Sequence, residues 1–577
     1  MENKDVAAIF AEIANILEIQ ESNPFRIRSF RRAAQIIENL SFNVTGTIQK
    51  DPGKLRAIPG IGDGTLQKIE ELVKTGTCEE LEKLKQEIPS SLLPMLKLQN
   101  LGPKKISVFW KKLNISTLEE LEKAALQQKI RTLPGMGEKS EAKILKAIKN
   151  YRQIQGRFQL DDGIEISTNL VNYLKSKIKT NRIAAAGSVR RRRETVGDID
   201  ILITCKNSSK AIQTFVQHPD VTQVLASGNT KASIVLRRGL QADLRVLEDN
   251  SFGAALQYFT GSKTHNVALR ERAKRMGYKI NEYGLFKIQD GVKIAGAEEK
   301  EIYHLLELSF IPPEMREGRG EIEQADKQEL PLLIEQKDIK GDLHMHTKAT
   351  DGQNSIVEMA TAGTKFGYDY IAITDHSQAL AMARGLNEER LLQQIEEIDK
   401  VSAKIPKIKI LKGIEVDILS GGKLDLRDQV LSKLDIVIAS VHSQFNLSKM
   451  EMTNRICRAM ENQYVNILAH PTGRLLTRRE PYLIEMEKII DAALQNRVCL
   501  EINAHPSRLD LSDVHCRMAK EMGVLLSINS DSHNLQMLNY MQYGVFTARR
   551  GWLTPNDVIN TYPFKKLCRV LGKKEYN

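Results

Sequence analysis

The first 150 residues alternate apolar and polar positions at helical spacing. In "DVAAIFAEIANILEI" and "STLEELEKAALQQKI" the apolar residues recur at the 3.6-residue period, which predicts amphipathic helices. Three stretches interrupt them: "IPGIGDGTLQKI" from Ile58, "LQNLGPKKISVF" from Leu98 and "LPGMGEKSEAKIL" from Leu133. Each sets a glycine turn between helical segments, so together they form a short internal repeat.

The period changes near residue 151. Short β-branched runs, "IEISTNL", "RIAAAGSV", "DIDILIT", "ASIVLR" and "ADLRVL", mix with helical "TNLVNYLKSKI" up to residue 253, which predicts α+β structure. Residues 254–320 form a smaller mixed module, and the polar stretch 321–339, with one proline, reads as a linker. Seven apolar runs follow: "DLHMHT", "YIAITDH", "KILKGIEVD", "DIVIASVH", "NILAHP", "VCLEINAHP" and "VLLSINSDSH". Helical stretches such as "SIVEMATAGTKF" separate them, which predicts a parallel barrel or sheet. Nearly all the runs finish in, or one residue after, His, Asp or Glu, and in such barrels the C-terminal strand ends converge on one mouth.

The expected domains are 1–80 and 81–150, both all-α, then 151–253, 254–320, the linker 321–339, and 340–577. That agrees with a length prior of roughly 150 residues per domain. No run approaches the ~18 apolar residues of a membrane span, and "MENKDVAAIF" lacks the build of a signal peptide, so a cytoplasmic protein with no membrane association is expected. The six cysteines show no CxxC spacing, which suggests neither a disulfide framework nor a thiolate zinc site and fits a reducing compartment.

Charge divides the chain in two. Residues 1–320 hold 51 Lys+Arg against 38 Asp+Glu, whereas residues 321–577 hold 33 against 34, so a polyanionic partner belongs to the first part. Eight of the eleven histidines follow residue 340.

In "GSVRRRRETVGDIDILI" Asp198 and Asp200 alternate on a predicted strand and project to one face, where they repel unless a cation lies between them. A divalent metal or the arginines Arg190 to Arg193 could serve. Asp243 follows in "QADLRVL"; three carboxylates on neighbouring strands can hold two Mg²⁺ ions and support phosphoryl transfer. Each glycine turn can aim backbone N–H groups toward a phosphate. One copy would pass for a helix-ending glycine, but three in a basic region resemble helix-hairpin-helix motifs. Gly60, Gly62, Gly102, Lys104, Gly135, Gly137 and Lys139 are then the expected DNA contacts.

"GSVRRRRETVGDIDILI", "QADLRV", "YFTGSKTHNVALR" and "NEYGLF" resemble, in matching order, family X DNA polymerases over residues 5–320. The resemblance implies an α+β nucleotidyltransferase palm (151–253) and thumb (254–320), acting on gapped or primed double-stranded DNA with deoxynucleoside triphosphates. It implies Asp198, Asp200 and Asp243 as ligands of Mg²⁺ or Mn²⁺, with Asp243 taking the primer hydroxyl proton. Gly187, Ser188 and Arg191 would hold phosphates, Tyr258, Phe259, Thr260 and Gly261 would line the sugar pocket, and Asn266 and Arg270 would face nucleotide and template. "FRIRSFRRAAQII" is similar to the family's 5′-phosphate-binding, lyase-type domain. There Arg26, Arg56 and Lys68 are expected at the 5′ end of a gap, and Lys68 falls where lyase-active members carry their Schiff-base lysine. Gly64, Phe25 and Phe30 depart from that pattern.

In the C-terminal part His344 and His346 share a strand face, Asp351 follows, and His376, Glu415, His442, His470, Asp531 and His533 end later runs. Imidazole and carboxylate together suit Zn²⁺, Mn²⁺ or Fe²⁺, and so many ligands imply two or three ions. The set resembles the PHP (polymerase and histidinol phosphatase) domain, a distorted seven-stranded (β/α)7 barrel. That implies 3′ to 5′ exonuclease, 3′-end-processing and possible abasic-site endonuclease activity beside gap-filling synthesis, in a protein expected to be a monomer. His505 and Arg474 stand where they could touch substrate. The competing readings are a small-molecule phosphoesterase on an inactive polymerase remnant and a noncatalytic repair scaffold.

Overall fold

The computed structural model describes residues 3–38, 44, 47–48, 51–56, 58, 60–98, 101–154 and 157–572; Pro59, Gln99 and Asn100 of the predicted turns lie outside the described residues. Two compact units result, Met1–Gln155 and Gly156–Asn577. Among the described residues no helix is long and apolar enough to cross a membrane.

The first unit is helical. Val6, Phe10, Ile13 and Leu17 of the helix Asn3–Ile19 lie at alternating four- and three-residue steps, and all are buried. The three glycine stretches adopt one repeated turn. The N–H of Ile61, Leu101 and Met136 bonds the carbonyl of Ile58, Leu98 and Leu133, at 3.0, 3.2 and 3.0 Å. The carbonyls of Gly62, Gly102 and Gly137 then accept the first bonds of the helices Asp63–Thr75, Pro103–Leu113 and Glu138–Ile154.

The second unit begins with a five-stranded sheet. Its order is Arg182–Ala185, Asp198–Thr204, Gln241–Leu247, Lys231–Leu236, Val221–Ser227, and only the pair Asp198–Thr204 with Gln241–Leu247 is parallel. That parallel pair sets Asp200 directly beside Asp243. The helices Phe252–Thr260 and Lys263–Arg275 and a three-stranded antiparallel sheet follow. Residues 321–339 are built into the unit rather than linking parts of it. Ile322 and Ala325 of the helix Glu321–Asp326 are buried, as are Leu333 and Ile334, and Ile334 N–H bonds the Leu553 carbonyl at 3.0 Å. The apolar residues within that polar stretch find cores on both sides, which a count of charges does not reveal.

Seven parallel strands then run in chain order: Gly341–Asp342, Tyr370–Ile373, Lys409–Asp417, Ile436–Ser440, Ile467–Leu468, Cys499–Asn503 and Leu526–Asn529. A parallel bridge between Met345 and Ser532 brings the first and last segments together, so the sheet is a nearly closed barrel. Alternate residues serve different cores. Tyr370 and Ala372 pack with Ile436, Ile438 and the C-terminal Tyr562, whereas Ile371 and Ile373 pack with the helix residues Met359 and Ile398. Burial on both faces is why these runs read as continuously apolar.

Candidate active sites

In the first site Asp198 opens its strand, with Asp200 two residues on and Asp243 on the adjacent strand. Among the described residues no Lys or Arg comes within ion-pair distance of these three carboxylates. Burial first, then repulsion from Asp198 and Asp243, pushes Asp200 up to about 7. The pocket is one that a divalent cation relieves: hard oxygen donors, clustered and unneutralised. Gly187 approaches so closely that a Cβ there would meet Asp200 Oδ2 at 2.7 Å, and its φ of +62° is one that glycine alone adopts freely. The neighbouring Ser188 Oγ is buried without a hydrogen-bond partner.

The arginine run goes elsewhere. Arg190 donates to Glu299 at 2.6 and 2.9 Å and to Thr260 Oγ1 at 2.6 Å. Arg191 Nε donates to Glu317 at 3.1 Å and its Nη1 to the Thr260 carbonyl, so it is held at the thumb rather than standing free beside the aspartates. Arg192 lies over the Phe546 ring. Of the predicted sugar-pocket residues, Thr260 is buried, Tyr258 and Phe259 meet edge to face, and Asn266 Nδ2 donates to the Tyr258 carbonyl at 2.7 Å. Arg270 is exposed, its Nε on the Asn266 carbonyl.

The second site gathers all nine predicted barrel residues at one mouth. Three groups place ligand atoms within 4.8 Å of one another: His346, Asp351, His376 and His533; His344, His346 and Asp531; His376, Glu415 and His442. His470 Nε2 joins through Glu415 Oε1 at 3.0 Å. The donors fit metal. His346 Nδ1, His376 Nδ1, His470 Nδ1 and Glu415 Oε2 are buried without a hydrogen-bond partner, and His376 Nδ1 approaches Glu415 Oε2 at 2.8 Å outside hydrogen-bonding geometry. Burial opposes charge here, but the Glu415 and Asp351 carboxylates raise His376 to about 10, while burial and the neighbouring His533 and His376 lower His346 to about 4. Adjacent imidazoles are thus driven in opposite directions by the charges around them.

Several buried supports lie outside the predicted set. Glu501 contacts His344 Nδ1 at 2.7 Å, Asp417 lies 3.3 Å from His442 Nδ1, and Asp375 accepts from Thr347 and Thr350 in the loop that carries Asp351 and from Gln394 of the helix Glu388–Lys404. The signal for Glu501 is a carboxylate inside an apolar run, "VCLEINAHP". Arg474 is held by its own partners. It donates to Glu194 at 2.7 Å and to the carbonyls of Arg508 and Leu509. His505 stands outside the three groups, its Nδ1 facing Ser507 Oγ at 2.9 Å.

In the first unit Lys68 Nζ lies 2.7 Å from Glu80, which also pairs with Arg26. Arg56 pairs separately with the exposed Asp63. Gly60, Gly62, Gly102, Gly135 and Gly137 are exposed, as are Lys104 and Lys139. Nothing lies within 4 Å of a Cβ at Gly62, Gly102, Gly135 or Gly137, so each turn presents its backbone to open space.

Five family models match the chain: a helix-hairpin-helix domain over residues 1–78, a SAM-like helix-hairpin-helix tandem over 92–150, the DNA polymerase beta palm over 162–276, the DNA polymerase beta thumb over 255–317, and a PHP domain over 342–505. The chain is 41% identical over 578 residues, covering all of both chains, to the DNA polymerase/3′-5′ exonuclease PolX of Bacillus subtilis (strain 168). Over 252 residues, 41% of this chain and 98% of the relative, it is 32% identical to a probable phosphatase of Thermoanaerobacter sp. (strain X514). A probable phosphatase of Syntrophotalea carbinolica is 25% identical over 230 residues, 38% of this chain and 90% of the relative.

Proposed function

Because the chain belongs to the family X DNA polymerases that carry a C-terminal PHP domain, we propose that it fills short gaps during DNA repair and trims the 3′ end at its own second site. The observation that carries this reading is the coexistence of two candidate ligand sets in one unit, the unneutralised aspartate triad and the histidine-rich barrel mouth. Bound at either site, divalent metal ions supply Lewis-acid stabilisation of phosphoryl charge and lower the pKa of the attacking hydroxyl or water.

Asp198, Asp200 and Asp243 would hold Mg²⁺ or Mn²⁺, and Asp243 accepts the proton of the primer hydroxyl. The Gly187 backbone and the unpartnered Ser188 hydroxyl receive phosphates of an incoming deoxynucleoside triphosphate, and Arg191 exchanges Glu317 for a phosphate oxygen. Tyr258, Phe259, Thr260 and Gly261 line the sugar, and Asn266 and Arg270 face nucleotide and template. His344, His346, Asp351, His376, Glu415, His442, His470, Asp531 and His533 would hold two or three Mn²⁺, Zn²⁺ or Fe²⁺ ions for phosphodiester hydrolysis. The glycine turns grip the DNA backbone, with Lys104 and Lys139 beside them. Arg26, Arg56 and Lys68 receive the 5′-phosphate of a gap, Lys68 standing as a candidate lyase nucleophile. The protein works as a cytoplasmic monomer.

The test uses labelled, one-nucleotide-gapped DNA with Mg²⁺ or Mn²⁺. The 3′ end should lengthen by one nucleotide when deoxynucleotides are present and shorten when they are omitted. An end that does neither removes the reading.

A further inference from the structure

We propose that Glu501 is a positioning residue of the barrel's metal centre, holding the His344 imidazole so that Nε2 faces the ligand cluster. The inference rests on the reading that this cluster binds metal.

Glu501 sits mid-strand in Cys499–Asn503 and is fully buried. No lysine or arginine pairs with it among the described residues; its ion-pair partner is His344. Its carboxylate is saturated with donors. Oε1 lies 2.7 Å from His344 Nδ1 and accepts from Asn529 Nδ2 at 2.9 Å, while Oε2 accepts the His470 backbone N–H at 2.8 Å and Asn503 Nδ2 at 3.2 Å. Asn503 Nδ2 also reaches Asp531 Oδ2 at 3.0 Å. One carboxylate therefore touches, directly or through a single amide, three members of the candidate ligand set.

Glu501 is absent from all three groups whose ligand atoms converge, so it stands behind the cluster. His344 Nε2, on the ring's other side, faces Glu415 Oε2 at 3.4 Å and Asp531 Oδ1 at 3.7 Å. A carboxylate on Nδ1 fixes the proton there, leaves the Nε2 lone pair for a cation and makes the imidazole a stronger donor. The two bonds to His470 and Asn503 set the neighbouring ligands at the same time.

The full-length protein and its Glu501→Gln variant, stripped of metal, are titrated with Mn²⁺ while free ion is counted by electron paramagnetic resonance. A parallel titration of His344→Ala identifies the barrel ions. Loss of such an outward partner lowers metal affinity roughly 10- to 100-fold; that fall is expected for Glu501→Gln at the barrel site, with primer extension unchanged. Equal barrel affinity in parent and variant overturns the proposal. A parent that binds no Mn²⁺ at the barrel overturns instead the metal-site reading beneath it. Should Glu501→Gln not fold, an anomalous-difference map of Mn²⁺-loaded parent crystals decides: an ion on His344 Nε2 with Glu501 on Nδ1 is expected, and an ion on Nδ1 or on Glu501 itself contradicts it.

Discussion

Arg550, the last residue of the helix Met541–Arg550, donates from Nη1 to the main-chain carbonyl of Arg191 at 2.7 Å. The same buried guanidinium reaches Glu317 at 3.0 Å and Asp513 at 2.6 Å. Arg474 and Glu194 span the same boundary at 2.7 Å. The arginine run of the palm and the barrel are therefore held in one buried network of charge, and the two candidate sites share a frame while keeping separate residues.

Arg550→Ala should destabilise the unit. Removing one partner of a buried ion pair leaves carboxylates without their compensation and costs about 3 kcal/mol. The unfolding temperature of the full chain should fall by a few degrees, with Arg550→Lys recovering part of the loss. An unchanged unfolding temperature would show that Arg191, Arg193 and Arg319 already satisfy Glu317 and Asp513.

Glu299 gives a pH dependence with a definite sign. Burial works to raise it, but Arg316 and Arg190 hold this carboxylate at about 2, below its ordinary 4.5. A depressed carboxylate contributes stability that is complete above about 4.5 and is lost as pH falls toward 2, amounting to roughly 3 kcal/mol. Glu299→Gln should be less stable near neutrality and flatter across that acid window. Parallel acid-unfolding curves for parent and variant would contradict the assignment.

Gly187→Ala should cripple synthesis without releasing DNA. The new Cβ would fall 2.7 Å from Asp200 Oδ2 in a left-handed backbone, displacing a carboxylate of the proposed metal site. A shift of about 1 Å in a reacting constellation costs roughly 100-fold in rate. The check is single-turnover extension beside an equilibrium binding curve on the same gapped duplex.

Much of this is legible in the chain. The period of the first helix, the shared face of Asp198 and Asp200, and the gathering of candidate ligands at the barrel's strand ends all depend on local spacing, which a sequence carries openly. What stays hidden is long-range. Arg190 meets Glu299 and Arg191 meets Glu317, so the partners of the arginine run come from distant chain and show only when it folds. The stretch 321–339 passes for a linker for the same reason: its few apolar residues matter only where two cores receive them. Glu501 escapes because attention to strand ends passes over a carboxylate in mid-strand.

The glycine turns predict a salt signature. Lys104 and Lys139 are exposed beside backbone that faces open space. Removing one cation that neutralises a phosphate should reduce the slope of log affinity against log salt by about one unit. Lys104→Ala and Lys139→Ala should each weaken binding at low salt by that pattern, alike for any duplex sequence. A weakening that varies with sequence would point to base recognition instead.

The central claim is that one chain carries two chemistries on separate ligand sets, and reciprocal substitution tests it most directly. Asp200→Ala and His344→Ala are compared with the parent on labelled gapped DNA, with nucleotides to read extension and with Mn²⁺ alone to read 3′ trimming. Asp200→Ala should abolish extension and keep trimming, since nothing in the barrel cluster includes it. His344→Ala, which removes an imidazole from the barrel, should abolish trimming and keep extension. Normal trimming by His344→Ala, or loss of trimming in an Asp200→Ala protein that still folds and binds DNA, would contradict the two-site account.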